Sequence, residues 1–173
     1  MAINDALSPR MSALAAELSA RLGAKVIEEA RFRGELTCRV AAEDWVAVLE
    51  TCKTAPELAF DQLDSLLGDH LPERGPAPFE VIAHLVSHAH GWRVRIKTAL
   101  AEGQELDTVT QLWPSAGFDE RETWEMYGIV FAGHPDLRRL LTVPDFEGFP
   151  QRKDFPIKGT VGGRIRTDLK GKI

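Results

Sequence analysis

The 173-residue chain carries 26 acidic and 21 basic residues, a net charge of −5, with 44% hydrophobic and 27% charged side chains. That length supports one domain with a sizeable core. It holds no apolar run near the roughly 18–20 residues of a membrane-spanning helix. Only two cysteines are present, Cys38 and Cys52, so a four-cysteine zinc site or iron–sulfur cluster built from this chain alone is excluded.

In chain order, residues 5–22 read as an amphipathic helix, because Leu7, Met11, Leu14, Leu18 and Leu22 recur at spacings of three and four, and Gly23 ends it. Residues 26–32 and 35–40 read as two strands around Arg33-Gly34, with Leu36, Cys38 and Val40 alternating. A second helix over 42–52 puts Trp45, Val48, Leu49 and Cys52 on one face, and Pro56 closes it. Both cysteines thus read as small apolar core residues. Residues 58–67 fit neither period. A Pro/Gly-rich loop over 72–78 precedes a hairpin of strands 79–88 and 92–100, in which Trp92, Val94 and Ile96 alternate with arginines and a lysine. After a loop at 101–107, a charged helix starts near Asp119, with Asp119 as its cap, Glu122 three positions on and Gly128 as its stop. Pro135 then opens a short last helix carrying Leu137, Leu140 and Leu141. The whole predicts an α+β fold: one domain over 1–141, a mixed sheet with helices mainly on one face, and an extended Pro/Gly-rich basic arm over 142–173.

The arm follows from composition. Pro144, Pro150 and Pro156 recur without apolar periodicity, so this stretch builds no core of its own, which leaves a disordered end or an extended arm ordered on a neighbour. From Pro150 onward seven Lys/Arg face two Asp/Glu, leaving −10 on the rest of the chain. An acidic body with a basic tail argues against nucleic-acid binding. The N-terminus lacks a signal-peptide core, so the chain is expected on the cytoplasmic side, reaching a membrane only through partners.

Candidate chemistry is sparse. His84, His88 and His90 suggest a metal site, but on a strand His84 and His88 lie roughly 13 Å apart, too far for one ion. Glu122 and Glu125 share a helix side, the minimum geometry for paired carboxylates. Arg121 stands four before Glu125, placed to pair with it and keep it ionised. No Walker-type or G-x-G-x-x-G run occurs.

One segment is more specific. Glu120-Arg121-Glu122, two residues, Glu125, Met126-Tyr127, six residues, His134, three residues, Arg138, one residue, then Leu140-Leu141 resembles the signature of the 30 kDa-type subunit of NADH-quinone oxidoreductase, respiratory complex I. Leu112-Trp113-Pro114-Ser115-Ala116, the Gly128–Asp136 run and Gln151-Arg152-Lys153-Asp154-Phe155-Pro156 are similar to family sequence too. The resemblance is dense over 79–156 and looser before it.

That resemblance implies a cofactor-free subunit in the peripheral arm of a proton-translocating complex. Its neighbours would be the hydrogenase-like large subunit that forms the quinone cavity, the small subunit with the terminal iron–sulfur cluster, and other complex I subunits. FMN and iron–sulfur clusters would reside on those partners. The location implied is peripheral, at the cytoplasmic side of the inner membrane. Arg121, Arg138, Arg139 and Arg152 would then suit bidentate pairing with a partner's carboxylates. Trp124, Tyr127 and Phe131 would serve as apolar anchors of the contact or as core. The equivalent subunit of a ferredoxin- or F420-dependent quinone reductase, or of a membrane-bound hydrogenase, is the related alternative. A free-standing enzyme using Glu122 and Glu125 is the distant one.

Overall fold

In the computed structural model, residues 9–156 are described. Five strands form one mixed sheet in the order β1-β2-β5-β4-β3. They are β1 (Val26–Phe32), β2 (Glu35–Val40), β3 (Gln62–His70), β4 (Phe79–Ser87) and β5 (Trp92–Leu100). All neighbours are antiparallel except β2 and β5, which run parallel and join the two hairpins into one sheet. Arg33 and Gly34 both have positive φ, 52° and 78°, the two-residue turn geometry that matches strand twist.

Alternation decides which face is dry. Leu36, Cys38 and Val40 of β2, Val94, Ile96 and Leu100 of β5, and Phe79, Val81, Ala83 and Leu85 of β4 share one buried cluster. Against it lie α1 (Pro9–Leu22) through Leu14, Leu18 and Leu22, and α2 (Trp45–Thr54) through Trp45, Val48, Leu49 and Cys52. Each fully buried leucine contributes about 1.5–3 kcal/mol. Burial also pushes both thiols up to about 12, so they are inert apolar filler. The opposite face is polar. There Glu80 is sealed beneath Arg39 (2.8 Å), Arg74 (2.7 Å) and Lys97 (2.8 Å). Burial alone would raise its carboxyl, but these cations hold it below its usual range.

Two expectations are corrected. Residues 58–67 resolve into a tight turn, with Ala59 at φ 44°, followed by β3. No helix opens at Pro135, because the N–H groups of Leu140, Leu141 and Thr142 that would continue it are taken by the Glu125 carboxylate. The expected start of the first helix at Asp5 lies outside the described residues, as do residues 157–173.

Candidate interaction site

The charged helix is α3 (Ala116–Tyr127). It begins three residues before Asp119, so Asp119 is not its cap. The Asp119 carboxylate instead accepts the Leu66 backbone N–H of β3 at 2.8 Å. Gly128, at φ 81°, ends the helix in the left-handed conformation. Gly68 of β3 lets the helix approach closely, since a Cβ there would stand 2.9 Å from both the Thr123 methyl and the Tyr127 ring.

Glu125 is 1% exposed and organises the segment after Pro135. Its carboxylate accepts the backbone N–H of Leu140 (2.7 Å), Leu141 (2.9 Å) and Thr142 (2.6 Å), and the Thr142 hydroxyl as well. Arg139 stands 3.9 Å away. Burial opposes the charge, but the hydroxyl and the three amides outweigh it and lower this carboxyl to about 2. Arg121 does not pair with Glu125. Its guanidinium donates to the carbonyls of Arg138 (3.0 Å) and Arg139 (3.1 Å). Helix and strap are thus clasped in both directions, the carboxylate taking amides and the guanidinium taking carbonyls.

Glu120, the other buried carboxylate, has no measurable exposure. It accepts the Thr108 hydroxyl at 2.5 Å and the Val109 N–H at 2.8 Å. These donors belong to the chain around β6 (Leu106–Asp107), which pairs in parallel with β7 (Phe131–Ala132). His134 sits 4.0 Å from Glu120. Its Nε2–H donates to the Gly117 carbonyl (3.1 Å) and its Nδ1 accepts the Asp136 N–H (3.0 Å). One ring nitrogen thus donates and the other accepts, and both are committed.

The C-terminal strap then caps α3. Gln151 N–H donates to the Met126 carbonyl at 3.2 Å, and Arg152 Nε to the Tyr127 carbonyl at 2.6 Å. Two orphan carbonyls of the helix end are satisfied, and a cation sits at the negative end of its dipole. The Arg152 guanidinium lies between the Phe79 and Phe149 rings, 4.7 and 4.6 Å from their centroids, and reaches Glu102 at 3.0 Å. The Lys153 N–H donates to buried His70 Nδ1 at 3.0 Å. Asp154, exposed and 4.0 Å from that nitrogen, makes no ion pair with it, because Nδ1 is already accepting.

The predicted residues therefore divide. Glu120, Arg121, Glu125, His134 and Arg152 bind the chain to itself, and Met126 is buried while Tyr127 packs against the core. Residues 142–156, expected as a disordered end or an arm ordered on a neighbour, are fastened to their own body. Of the arginines assigned to partner carboxylates, Arg121, Arg139 and Arg152 are engaged within the chain, and exposed Arg138 pairs with Asp136 at 2.9 Å. Phe131 is core at 2% exposure, whereas Leu140 (38%), Leu141 (62%), Val143 (59%) and Phe118 (63%) face outward. Glu122 is exposed while Glu125 is sealed, so the two share no space where a substrate would meet both.

The three hairpin histidines also part company. His84 meets Ser65 and Arg95, His88 meets Asp61, and His90 meets the Pro56 carbonyl. Among the described residues no group of three or more His, Cys, Asp or Glu side chains is placed to hold a metal ion. Sequence reasoning missed Thr108, Thr142 and His70. Nothing local marks them, since each is defined by a partner elsewhere in the chain.

Known proteins resemble this chain in sequence and in fold. The family described as "Respiratory-chain NADH dehydrogenase, 30 Kd subunit" matches residues 38–161. An NADH-quinone oxidoreductase C-type subunit from Burkholderia cenocepacia (strain HI2424) is 40% identical over 172 residues, covering 95% of this chain and 86% of the relative. Its counterpart from Methylobacterium radiotolerans is 41% identical over 158 residues, covering 91% and 73%. Among solved structures, a trypsin-resistant fragment of Nqo5 superposes with a TM-score of 0.58 at 29% identity, over 74% of this chain and 99% of the fragment. A chain of an archaeal membrane-bound sulfane sulfur reductase shares the fold, with a TM-score of 0.71 at 20% identity over 94% and 91%.

Proposed function

Since the chain belongs to the family of the 30 kDa subunit of respiratory-chain NADH dehydrogenase, we infer that it serves as that subunit in an NADH-quinone oxidoreductase, respiratory complex I. In this reading it carries no redox group and lies in the peripheral arm at the cytoplasmic side of the inner membrane. It supports the hydrogenase-like subunit of the quinone cavity and the subunit holding the terminal iron–sulfur cluster. FMN and the clusters belong to its partners. No helix among the described residues is long and apolar enough to cross a membrane, so attachment runs through those partners.

The observation that carries the reading is the use made of the signature. Glu125 and Arg121 spend their hydrogen bonds on holding residues 138–142 in place, and the side chains so displayed, Leu140 and Leu141, are exposed apolar groups. Beyond its part in the fold, such a fixed loop favours a contact, because a preordered surface loses less entropy on binding. The body over 1–141 and the strap from 142 then act together, the strap's described part fastened to the body.

The test is purification of the tagged chain from gently solubilised membranes. The expected result is co-purification with a hydrogenase-like large subunit and iron–sulfur subunits, and with NADH:quinone reductase activity. A chain recovered alone overturns the reading. Recovery with a ferredoxin- or F420-linked donor module in place of the NADH-oxidising one moves it to the related machine.

A further inference from the structure

Glu120 is a sealed carboxyl group with no Lys or Arg ion pair among the described residues. The groups facing it are few. His134, on the loop after β7, is 4.0 Å away with its Nε2–H committed to Gly117 and its Nδ1 to the Asp136 N–H. Asp119, next on the helix, adds negative charge and spends its own carboxylate on Leu66. Arg121 turns away to the carbonyls of Arg138 and Arg139. On the side of β6, Asp107 is exposed, and the contacts to Glu120 come from Thr108 and Val109 alone.

Behind Thr108 stands a second hydroxyl. Thr108 Oγ1 lies 2.5 Å from Glu120 and 3.0 Å from Thr110 Oγ1, and it also accepts the Thr110 backbone N–H at 3.2 Å. A hydroxyl chain of this kind has two directions. With Glu120 ionised, Thr110 donates to Thr108 and Thr108 donates to the carboxylate. With Glu120 protonated, the carboxyl O–H donates to Thr108, and Thr108 turns its hydrogen to Thr110. Each direction keeps both contacts, and only hydrogens move.

We propose that Glu120, Thr108 and Thr110 form a buried proton-binding site, in which uptake of one proton reverses the hydroxyl chain and leaves the heavy atoms in place. Two donors and no cation fail to repay the desolvation of the charge. Burial raises this carboxyl to about 7, against the lowering by Thr108 and Val109. The site therefore changes state in the physiological range while its clasp on the β6 segment persists in both states. The adaptation lies in the hydroxyl pair, because a carboxylate facing only amide donors would lose contacts on protonation. This inference stands on the geometry of the chain itself and does not rest on the complex to which it belongs.

The test uses the full chain with its glutamate side-chain carboxyls 13C-labelled, titrated by NMR from about pH 4 to pH 9, a span that brackets the carboxylate and histidine ranges. One carboxyl is expected to titrate near neutrality and to vanish in Glu120→Gln, which mimics the protonated state and keeps the fold. Thr108→Val removes a donor to the ionised form and moves the midpoint up. Thr110→Val takes a donor from Thr108 in the ionised form and its acceptor in the protonated form; because Thr108 Oγ1 still accepts the residue-110 N–H, the loss falls on the protonated form and moves the midpoint down, although it is Thr108 that bonds Glu120. A Glu120 midpoint in the ordinary carboxylate range overturns the site. An unchanged midpoint in Thr110→Val overturns the hydroxyl chain.

Discussion

Replacing Glu125 by glutamine tests whether the strap is held by a charge or by shape. Gln keeps the volume, removes the charge, and turns an NH2 toward amides that already donate. The wild-type carboxyl is lowered from 4.5 to about 2, and at about 1.4 kcal/mol per pKa unit that corresponds to roughly 3 kcal/mol of stability. The sign follows from a depressed folded-state value. The contribution is complete above the unfolded pKa near 4.5 and is lost as pH falls through about 2. Urea unfolding at pH 7 should therefore show Glu125→Gln less stable by about 3 kcal/mol, and the gap should shrink by more than half near pH 3. Hydrogen exchange should quicken at Leu140, Leu141 and Thr142, whose N–H groups the carboxylate accepts. A gap under about 1 kcal/mol at pH 7, no more than an ordinary neutral hydrogen bond gives, would refute the charge as the fastening. So would a gap that ignores pH.

Glu120 has the opposite sign. Its carboxyl is raised to about 7, so the folded state binds more protons than the unfolded one, and stability should fall by about 3 kcal/mol as pH rises from near 4.5 to near 7. Chemical denaturation across that window should show this slope, flattened in Glu120→Gln. Gly68→Ala should lower stability by about 1–3 kcal/mol, because the new methyl meets Thr123 and Tyr127 and pushes α3 outward; a thermal melt matching wild type would contradict the close packing. The Thr98 hydroxyl is buried without a hydrogen-bond partner, so Thr98→Val should be neutral or stabilising in the same melt, and a clear loss would mean the hydroxyl is satisfied. Arg121→Ala should cost about 1 kcal/mol in the isolated chain, through its two carbonyl contacts at a partly exposed site. Unchanged stability there would return that arginine to a partner-facing role.

Where alternation is regular, the sequence was legible. Strands β2 and β5 follow their apolar rows, α2 follows Trp45, Val48, Leu49 and Cys52, and β1, exposed along nearly its whole length, was marked by the Arg33-Gly34 turn instead. The failures have local causes. In β3 the register shifts between Leu63 and Ser65, so the buried row is Leu63, Leu66, Gly68 and His70, a spacing of three and then two that hides the strand period. Leu58 and Phe60 are core residues reached by the positive φ of Ala59, not members of any element. At Pro135 the helix signal was real but outcompeted. Asp136 N–H goes to His134, Arg138 N–H to the Asp136 carbonyl, and the next donors go to Glu125, leaving the i→i−4 ladder without N–H groups.

The candidate site was legible as a list of residues and illegible as a mechanism, because the pairings run between segments rather than along the helix. Spacing of four suggested that Arg121 holds Glu125, yet each reaches across to the strap instead. Glu120 and Glu125 are five residues apart, roughly 140° around the helix, so they clasp different segments on different sides of α3. Their environments then separate two chemically identical groups. Glu125 has four donors and a nearby arginine, and stays ionised. Glu120 has two donors and a histidine that donates elsewhere, and takes a proton near neutrality. The donor count decides the charge state, since desolvation opposes ionisation at both. Three acids of this charged helix, Asp119, Glu120 and Glu125, are therefore ties to the chain before and after it, and the last of them holds the exposed Leu140 and Leu141 in place.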